Sequence, residues 1–447
     1  MQVLTRERFD ALLGSTRSPW TRIVGIEKGW YSEKNEKVLC VIVQDTSDRD
    51  FTCIVLGRDL VGRFRAVYLT PFFKTLKAAR SAVPGLLSTW SSRDEEEYSQ
   101  GDEPKKRMDF FAPLHPVEKL HPDFNSLISD ERLSAARGII DSMMSYFKDP
   151  DGNFVEQFQS TAFNARLWEL YLFAVLAEER CEIDRSHPAP DYLFTAVFGE
   201  CFLEAVTANP SGAGETGYPT APNKLYEYMH NYLPMKFSGP LVSKLGKHYW
   251  EKPYIRDRPI ILAIADYHLP DSMQRSQDAL LEYLYGQRFE REYDKAGRLS
   301  IKAQPLAEHV WFGKRVPSGF FQLSGAEHIS AVISTGEDTI MKFNRMGHRA
   351  GFGSARIKMA ASGWRCIHGH PARVAPVRFK LDVNSDDYEE FWIDGLQVYH
   401  NPRARNPLDI RLFADATHRR WRDGQLDSTY ADRSPNCVET HLSLSSS

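Results

Sequence analysis

The chain contains no hydrophobic run approaching the roughly eighteen apolar residues that a membrane-spanning helix needs. Its first ten residues, MQVLTRERFD, are charged where a secretory leader has its apolar centre. The expectation is a soluble, cytoplasmic protein with no membrane partner. Cysteine is scarce: six in 447 residues, at positions 40, 53, 181, 201, 366 and 437, with no CxxC pair. A chain of this size needs no disulfide scaffold, so reduced and mostly buried thiols are expected. CIHGH (Cys366, His368, His370) alternates zinc-type ligands along one strand face, with Cys437 and His441 later in the chain. That spacing matches no standard zinc pattern, and a structural cluster is the favoured reading. There is no GxxxxGK[ST], GxSxG or HExxH, so a phosphate-cradling P-loop, a nucleophile elbow and a zincin helix are all excluded. A net charge of −3 excludes a polycation that clings to nucleic acid along its whole surface.

What is present divides the chain by texture. TRIVGI, KVLCVIV, FTCIVL and FRAVYL are short apolar runs between turn-rich breaks, and FFKTLKAARSAVPGLLSTW has helical spacing with Pro84 set to bend or break it. Residues 1–92 thus read as an antiparallel meander plus a helix. Residues 93–107 are charged in both signs and without period, which reads as a flexible linker. Two basic stretches could meet nucleic acid locally. One is Arg58, Arg63, Arg65, Lys74, Lys77 and Arg80 against Asp59; the other is Arg419, Arg420 and Arg422 around Trp421. Residues 291–440 carry short β runs (HISAVIST, DTIMKFN, VRFKLDV and FWIDGLQVYH with its Asp394–Gly395 turn), which reads as a β-rich C-terminal domain.

The middle segment, 108–290, holds the candidate chemistry. LSAARGIIDSMMSYF is a helix, and the DPDGN turn after it lacks the spacing of a calcium loop and caps the next helix instead. TAFNARLWELYLFAVLAEE follows, an apolar helix whose only charge between Leu167 and Ala177 is Glu169. A glutamate there needs a partner, either Arg166 one turn earlier or a functional site. CEIDRS, PDYLFTAVF and ECFLEAVT read as three strands. If the turn between the last two centres on Val197 and Phe198, Asp191 and Glu204 lie directly opposite; a one-residue shift toward Gly199 leaves them diagonal on the same face. FSGPLVSKLGKHYW reads as a helix with Leu241, Leu245 and Tyr249 on one stripe, and RPIILAIADYH as a fully buried strand. MQRSQDALLEYLYG closes the segment as an amphipathic helix ending at Gly286.

Glu169 on a helix, Pro190–Asp191 opening the second strand and Glu204-Ala205-Val206 on the third resemble the core of the PD-(D/E)XK nuclease superfamily. The order from Thr161 to Asp266, helix, three strands, helix, strand, is similar to that core, and the likeness covers about a quarter of the chain. It implies an α+β or α/β multidomain protein: a restriction-endonuclease-like αβββαβ centre between the N-terminal meander domain and the β-rich C-terminal domain. It also implies a Mg²⁺ (or Mn²⁺) site built from Asp191, Glu204 and Glu169. One residue departs from the family pattern, since the lysine expected two places after Glu204 is replaced by Val206. Lys244, at the edge of the apolar stripe of the following helix, is the preferred substitute, ahead of Lys247 and Lys224.

The implied activity is metal-dependent phosphodiester hydrolysis of nucleic acid, DNA ahead of RNA, in a setting of restriction, repair or phage defence. A protein partner or a homo-oligomer fits the flanking domains. The alternative is a nuclease-fold protein that has lost its chemistry with the strand lysine and serves as a nucleic-acid or protein binding or sensing module. A third reading is a plain amphipathic hairpin whose carboxylates face water, with Glu169 paired to Arg166.

Overall fold

A computed structural model describes residues 1–103, 109–210, 217–293, 299–366, 376–430 and 434–444. Near the N-terminus, strands β1 (Gln2–Val3), β2 (Gly25–Ser32), β3 (Val38–Asp45), β4 (Phe51–Arg58) and β5 (Phe64–Leu69) pair antiparallel in chain order. KVLCVIV is apolar throughout because both faces of β3 are covered. Val38, Cys40 and Ile42 pack under the helix Leu76–Ser91, while Leu39 and Val41 pack with Phe9, Leu12 and Leu13 of the helix Arg6–Leu13. The Leu76–Ser91 helix runs through Pro84 rather than breaking there. Pro84 and Arg80 are exposed, so water can take up the carbonyl that the proline leaves unbonded. TRIVGI is not a single strand: Thr21–Val24 forms a helical turn before β2 begins.

The stretch read as a linker is packed as far as Glu103. Tyr98, 1% exposed, lies on β4 where Gly57 has no side chain; a Cβ at Gly57 would stand 2.4 Å from the Tyr98 ring. Asp102 and Glu103 pair with Arg63 and Arg65, which also meet Asp59. Two arginines of the first basic stretch are thereby neutralised within the fold.

The centre is a mixed sheet in which strands run in the order β6 (Glu182–Asp184), β7 (Tyr192–Ala196), β8 (Gly199–Ala208), β9 (Ile260–Asp266), then Ala331–Ser334, Gln397–His400, Thr417–Arg422 and Gln425–Thr429. β6, β7 and β8 are antiparallel neighbours, while β8, β9 and Ala331–Ser334 are parallel. Helices cover both faces. Cys201 and Leu203 of β8, with Ile261, Ala263 and Ala265 of β9, face the helices Ser134–Met144, Phe163–Glu178 and Ile340–Arg349. Phe202, Val206, Ile260, Leu262 and Ile264 face the helices Leu233–Leu245 and Gln277–Tyr285. The protein is thus mixed α and β, with several sheets.

The boundary drawn near residue 290 falls inside this architecture. Strands from 331 to 429 extend the sheet that β6 to β9 begin, and one apolar core joins residues 110 to 416. A buried parallel strand such as β9 needs a bonded neighbour on each side, and Ala331–Ser334 supplies one. DTIMKFN forms the start of the helix Ile340–Arg349, not a strand. Thr339 caps it by accepting from the Lys342 N–H, and Phe343 and Met346 turn inward at helical spacing. In FWIDGLQVYH only Gln397–His400 is a strand, so the Asp394–Gly395 turn leads into it without making a hairpin. VRFKLDV does form a strand, Pro376–Asp382, in a separate small sheet with Ile357–Cys366 and Ser434–Leu444. His368 and His370, with the side chains of Cys366 and Cys437, lie outside the described residues, so the CIHGH reading has no structural counterpart here.

Two stability measurements follow. The helices Ser134–Met144 and Ile340–Arg349 touch backbone to side-chain-free backbone, since a Cβ on Gly347 would sit 2.2 Å from the Ala135 carbonyl oxygen. Gly347→Ala should lower unfolding free energy by about 2 kcal/mol in urea titration; an unchanged midpoint would contradict that packing. His309 is fully buried, donating from Nδ1 to the His230 carbonyl and accepting at Nε2 from Ser318, both at 3.0 Å. Burial first, and the Arg288 charge after it, push its pKa down to about 4. The unfolded chain, with an imidazole near 6.5, then takes up the proton first. Stability is full above about pH 6.5 and falls toward pH 4, by roughly 3 kcal/mol from this group. His309→Gln should flatten that acid slope, and an unaltered slope would remove His309 from its cause.

Candidate active site

The two strands that carry the acidic pair are joined by a two-residue turn. Ala196 pairs with Gly199 across Val197 and Phe198, and Tyr192 with Leu203, so the next pair along is Asp191 with Glu204. This is the first of the two registers that the sequence allowed. Opposed residues share a face, and the face here is the one under the helix Leu233–Leu245. The hairpin is stitched by its own carboxylates: the Asp191 N–H donates to Glu204 Oε2 at 3.2 Å, and the Ala205 N–H donates to Asp191 Oδ2 at 2.7 Å.

Two donors from beyond the hairpin converge on Glu204, which is 4% exposed. Lys244, in the last turn of its helix, pairs with Oε1, and the Tyr249 hydroxyl donates to the same oxygen at 2.7 Å. Burial, then the Glu204 charge, hold the Tyr249 hydroxyl far above the ordinary tyrosine range. Lys247 lies beyond the end of this helix and is exposed, and Lys224 lines a different pocket near the start of the preceding helix. Val206, in the place of the family lysine, is buried in the core under the same helix. Among the three candidate lysines, only Lys244 makes an ion pair with the acidic hairpin.

Glu169 takes another course. It is buried on the helix Phe163–Glu178, where Arg166 pairs with Oε1 and Arg185 donates to Oε2 at 3.0 Å. The neighbouring side chains fix this helix: Trp168 Nε1 donates to the Ala263 carbonyl of β9 at 2.9 Å, and the Tyr192 hydroxyl donates to the Glu169 carbonyl at 2.8 Å. The pairing with Arg166 is therefore present, while Asp191 and Glu204 also meet. Burial first, then the Glu204 charge and then that of Glu169, raise the Asp191 carboxyl to about 7.

The oxygens available decide which of these groups suit a hard cation. Glu204 Oε1 is taken twice and Oε2 once, Asp191 Oδ2 is taken once, and Asp191 Oδ1 accepts no bond among the described residues. Two adjacent carboxylates with free lone pairs fit Mg²⁺, which commonly binds through one or two carboxylates and keeps several waters. Both oxygens of Glu169 are committed to guanidinium groups, so it fits as a nearby charge and not as a direct ligand. Among the described residues, no group of three or more His, Cys, Asp or Glu side chains is placed to hold a metal ion.

Sequence reading passed over Tyr249 and Arg185. Tyr249 lies on the apolar stripe and reads as core, which its ring is; nothing local marks its hydroxyl as a partner of Glu204. Arg185 stands in a short polar strand end, 16 residues from the glutamate it binds. No helix among the described residues is long and apolar enough to cross a membrane. No family model, curated protein or solved structure matches this chain.

Proposed function

We propose that this chain is a phosphodiesterase of the PD-(D/E)XK nuclease kind, cutting nucleic acid, DNA in preference to RNA. The observation that carries the reading is the opposed pair Asp191 and Glu204 on one hairpin, with Lys244 paired to Glu204 from the helix above. The succession of Phe163–Glu178, β6, β7, β8, Leu233–Leu245 and β9 supports it, because it matches the restriction-endonuclease-like order helix, three strands, helix, strand. Asp191 and Glu204 would hold Mg²⁺ or Mn²⁺, which would activate a water and stabilise charge on the phosphate. Lys244 and Tyr249 orient the Glu204 carboxylate, and Lys244 sets a positive charge beside the incoming phosphate. Restriction, repair or phage defence is the setting that this chemistry suits.

The test is cleavage of plasmid, linear duplex, single-stranded DNA and RNA with Mg²⁺ or Mn²⁺. Lys244→Ala should slow cleavage about 10²-fold, the scale for losing one preorganised electrostatic group. A full rate in that variant would take Lys244 out of the mechanism. The binding-module reading has an observation of its own: Glu169 and Glu204 are already matched by Arg166, Arg185 and Lys244 without any metal. Calorimetric titration with Mn²⁺ separates the two. Heat that disappears on Glu204→Gln favours the enzyme, and no metal heat with intact nucleic-acid binding favours the module.

A further inference from the structure

The helical run Pro222–Leu245, whose last turn carries Lys244, contains a pocket of about 740 Å³ at its other end. We propose that this pocket is a stacking site for an unpaired base of single-stranded nucleic acid. The choice of a nucleic acid over other planar ligands rests on the nuclease reading above. Its walls are aromatic: Tyr228 and Tyr232 from the helix, and Trp311 and Phe312 from the tip of the hairpin Glu308–Trp311/Lys314–Pro317. The Trp311 ring centre lies 5.5 Å from that of Tyr232 and 5.9 Å from that of Tyr228, and Phe312 stands edge-on to Trp311 at 5.0 Å. Asn231 and Glu227 offer groups for a base edge, and Lys224 a charge for a phosphate.

Three features of the pocket are costly for the fold alone. Phe312 is 95% exposed and holds φ +44°, a left-handed conformation that a bulky side chain seldom adopts. Val310, which lines the same pocket, is exposed as well, so the rim on the hairpin side is apolar. Tyr228–Tyr232 is a π turn, where the Leu233 N–H reaches back to the Tyr228 carbonyl, and such turns inside helices are frequent at functional sites. The wall is also rigid before any ligand arrives. The Tyr228 hydroxyl bonds His268 Nε2 at 3.0 Å, and His268 Nδ1 bonds Asp266 Oδ1 at 2.6 Å, both residues being buried. Arg288 and His309 take up the His230 carbonyl in the turn.

Stacking tolerates any base, because each has a π face, but requires the base to be out of a duplex. Twelve residues separate Tyr232 from Lys244, on the order of 18 Å along the helix, or about five base steps of a stacked strand. A strand of about five nucleotides is therefore long enough to span from the pocket to the end of the helix that carries Lys244.

The experiment is fluorescence titration of the full chain, in EDTA so that nothing is cut, with a short labelled DNA strand carrying 2-aminopurine, alone and as a duplex. The single strand should bind with quenching of 2-aminopurine, and more tightly than the duplex. Trp311→Ala and Phe312→Ala should each weaken it about tenfold or more, the scale of losing one stacked base. Phe312 is 95% exposed, so its variant should fold as the wild type does, and its thermal midpoint checks this. Equal affinity for strand and duplex, or unchanged binding in Phe312→Ala, overturns the proposal. A protein that binds in this way yet never cleaves loses the nuclease reading and keeps the stacking site; one that cleaves with Phe312→Ala unaffected does the reverse.

Discussion

Asp191→Ala is expected to abolish Mg²⁺-dependent cleavage, by about 10³-fold or more, while the thermal midpoint stays level or rises. The reason lies in what Asp191 does for the fold. Its carboxyl accepts one bond, from the Ala205 N–H, and gives in return a second negative group beside Glu204 with Glu169 close by. Burial and those two charges together raise its pKa to about 7, so ionising it at neutral pH is a strain on the native state. A residue kept only for stability would leave a loss when removed; this one should not. The measurement pairs cleavage rates with calorimetric melting of the same samples. A variant that melts lower and cuts as before would assign Asp191 to the hairpin alone, and a variant that keeps both would end its functional role.

The largest stability effect is expected far from this hairpin. Arg345 is fully buried on the helix Ile340–Arg349. Its Nη2 meets Glu337 and Glu390, each at 2.8 Å, its Nε bonds the Glu390 carboxylate, and its Nη1 donates to Thr440 at 2.7 Å. Lys342, also fully buried, pairs with Glu390 at 2.9 Å, and the Tyr388 hydroxyl donates to Glu390 at 2.6 Å. Burial alone would raise the Glu390 carboxyl, but Arg345 and Lys342 hold it well below the usual range. Removing the guanidinium leaves Glu337 with only the Val438 N–H and the more distant Lys342 charge, and Glu390 half compensated, in the interior. Arg345→Met should therefore cost about 3–5 kcal/mol in urea unfolding, the scale for breaking a buried ion pair from one side. Replacing Glu337 and Glu390 by glutamine in the same background should recover part of it. A loss below about 1 kcal/mol would mean that water reaches the cluster.

Much of the central fold was legible because its signals are local. Apart from Glu169, Leu167 to Leu176 is apolar on every side, and the helix there is buried on every side. Gly199 and two apolar runs marked the hairpin and put Asp191 and Glu204 on one face, and the observed pairing of Ala196 with Gly199 chose the directly opposed register of the two that the sequence allowed. DTIMKFN misled because Ile, Met and Phe at its spacing suit strand and helix alike. Thr339 as cap and the buried pairing of Lys342 and Arg345 decide for the helix, and that pairing involves residues from 337 to 440. The linker misled for the opposite reason. Its charges are polar in sequence, yet Tyr98 anchors it and Arg63 and Arg65 bind its acids.

The sequence by itself determined the buried helix around Glu169, the β6 to β9 strands and that Asp191 and Glu204 share one face of a hairpin, since each depends on neighbours within about a dozen residues. Only the tertiary structure decided which cation answers which acid. Lys244, in the last turn of its helix, and Tyr249, in the short turn that follows it, reach Glu204 because the helix packs over β8, 40 and 45 residues away in the chain, and Arg185 reaches Glu169 because β6 ends beside the buried helix. Charge pairing follows distance in space, and that distance is set by sheet order and helix packing, which no stretch of sequence encodes alone.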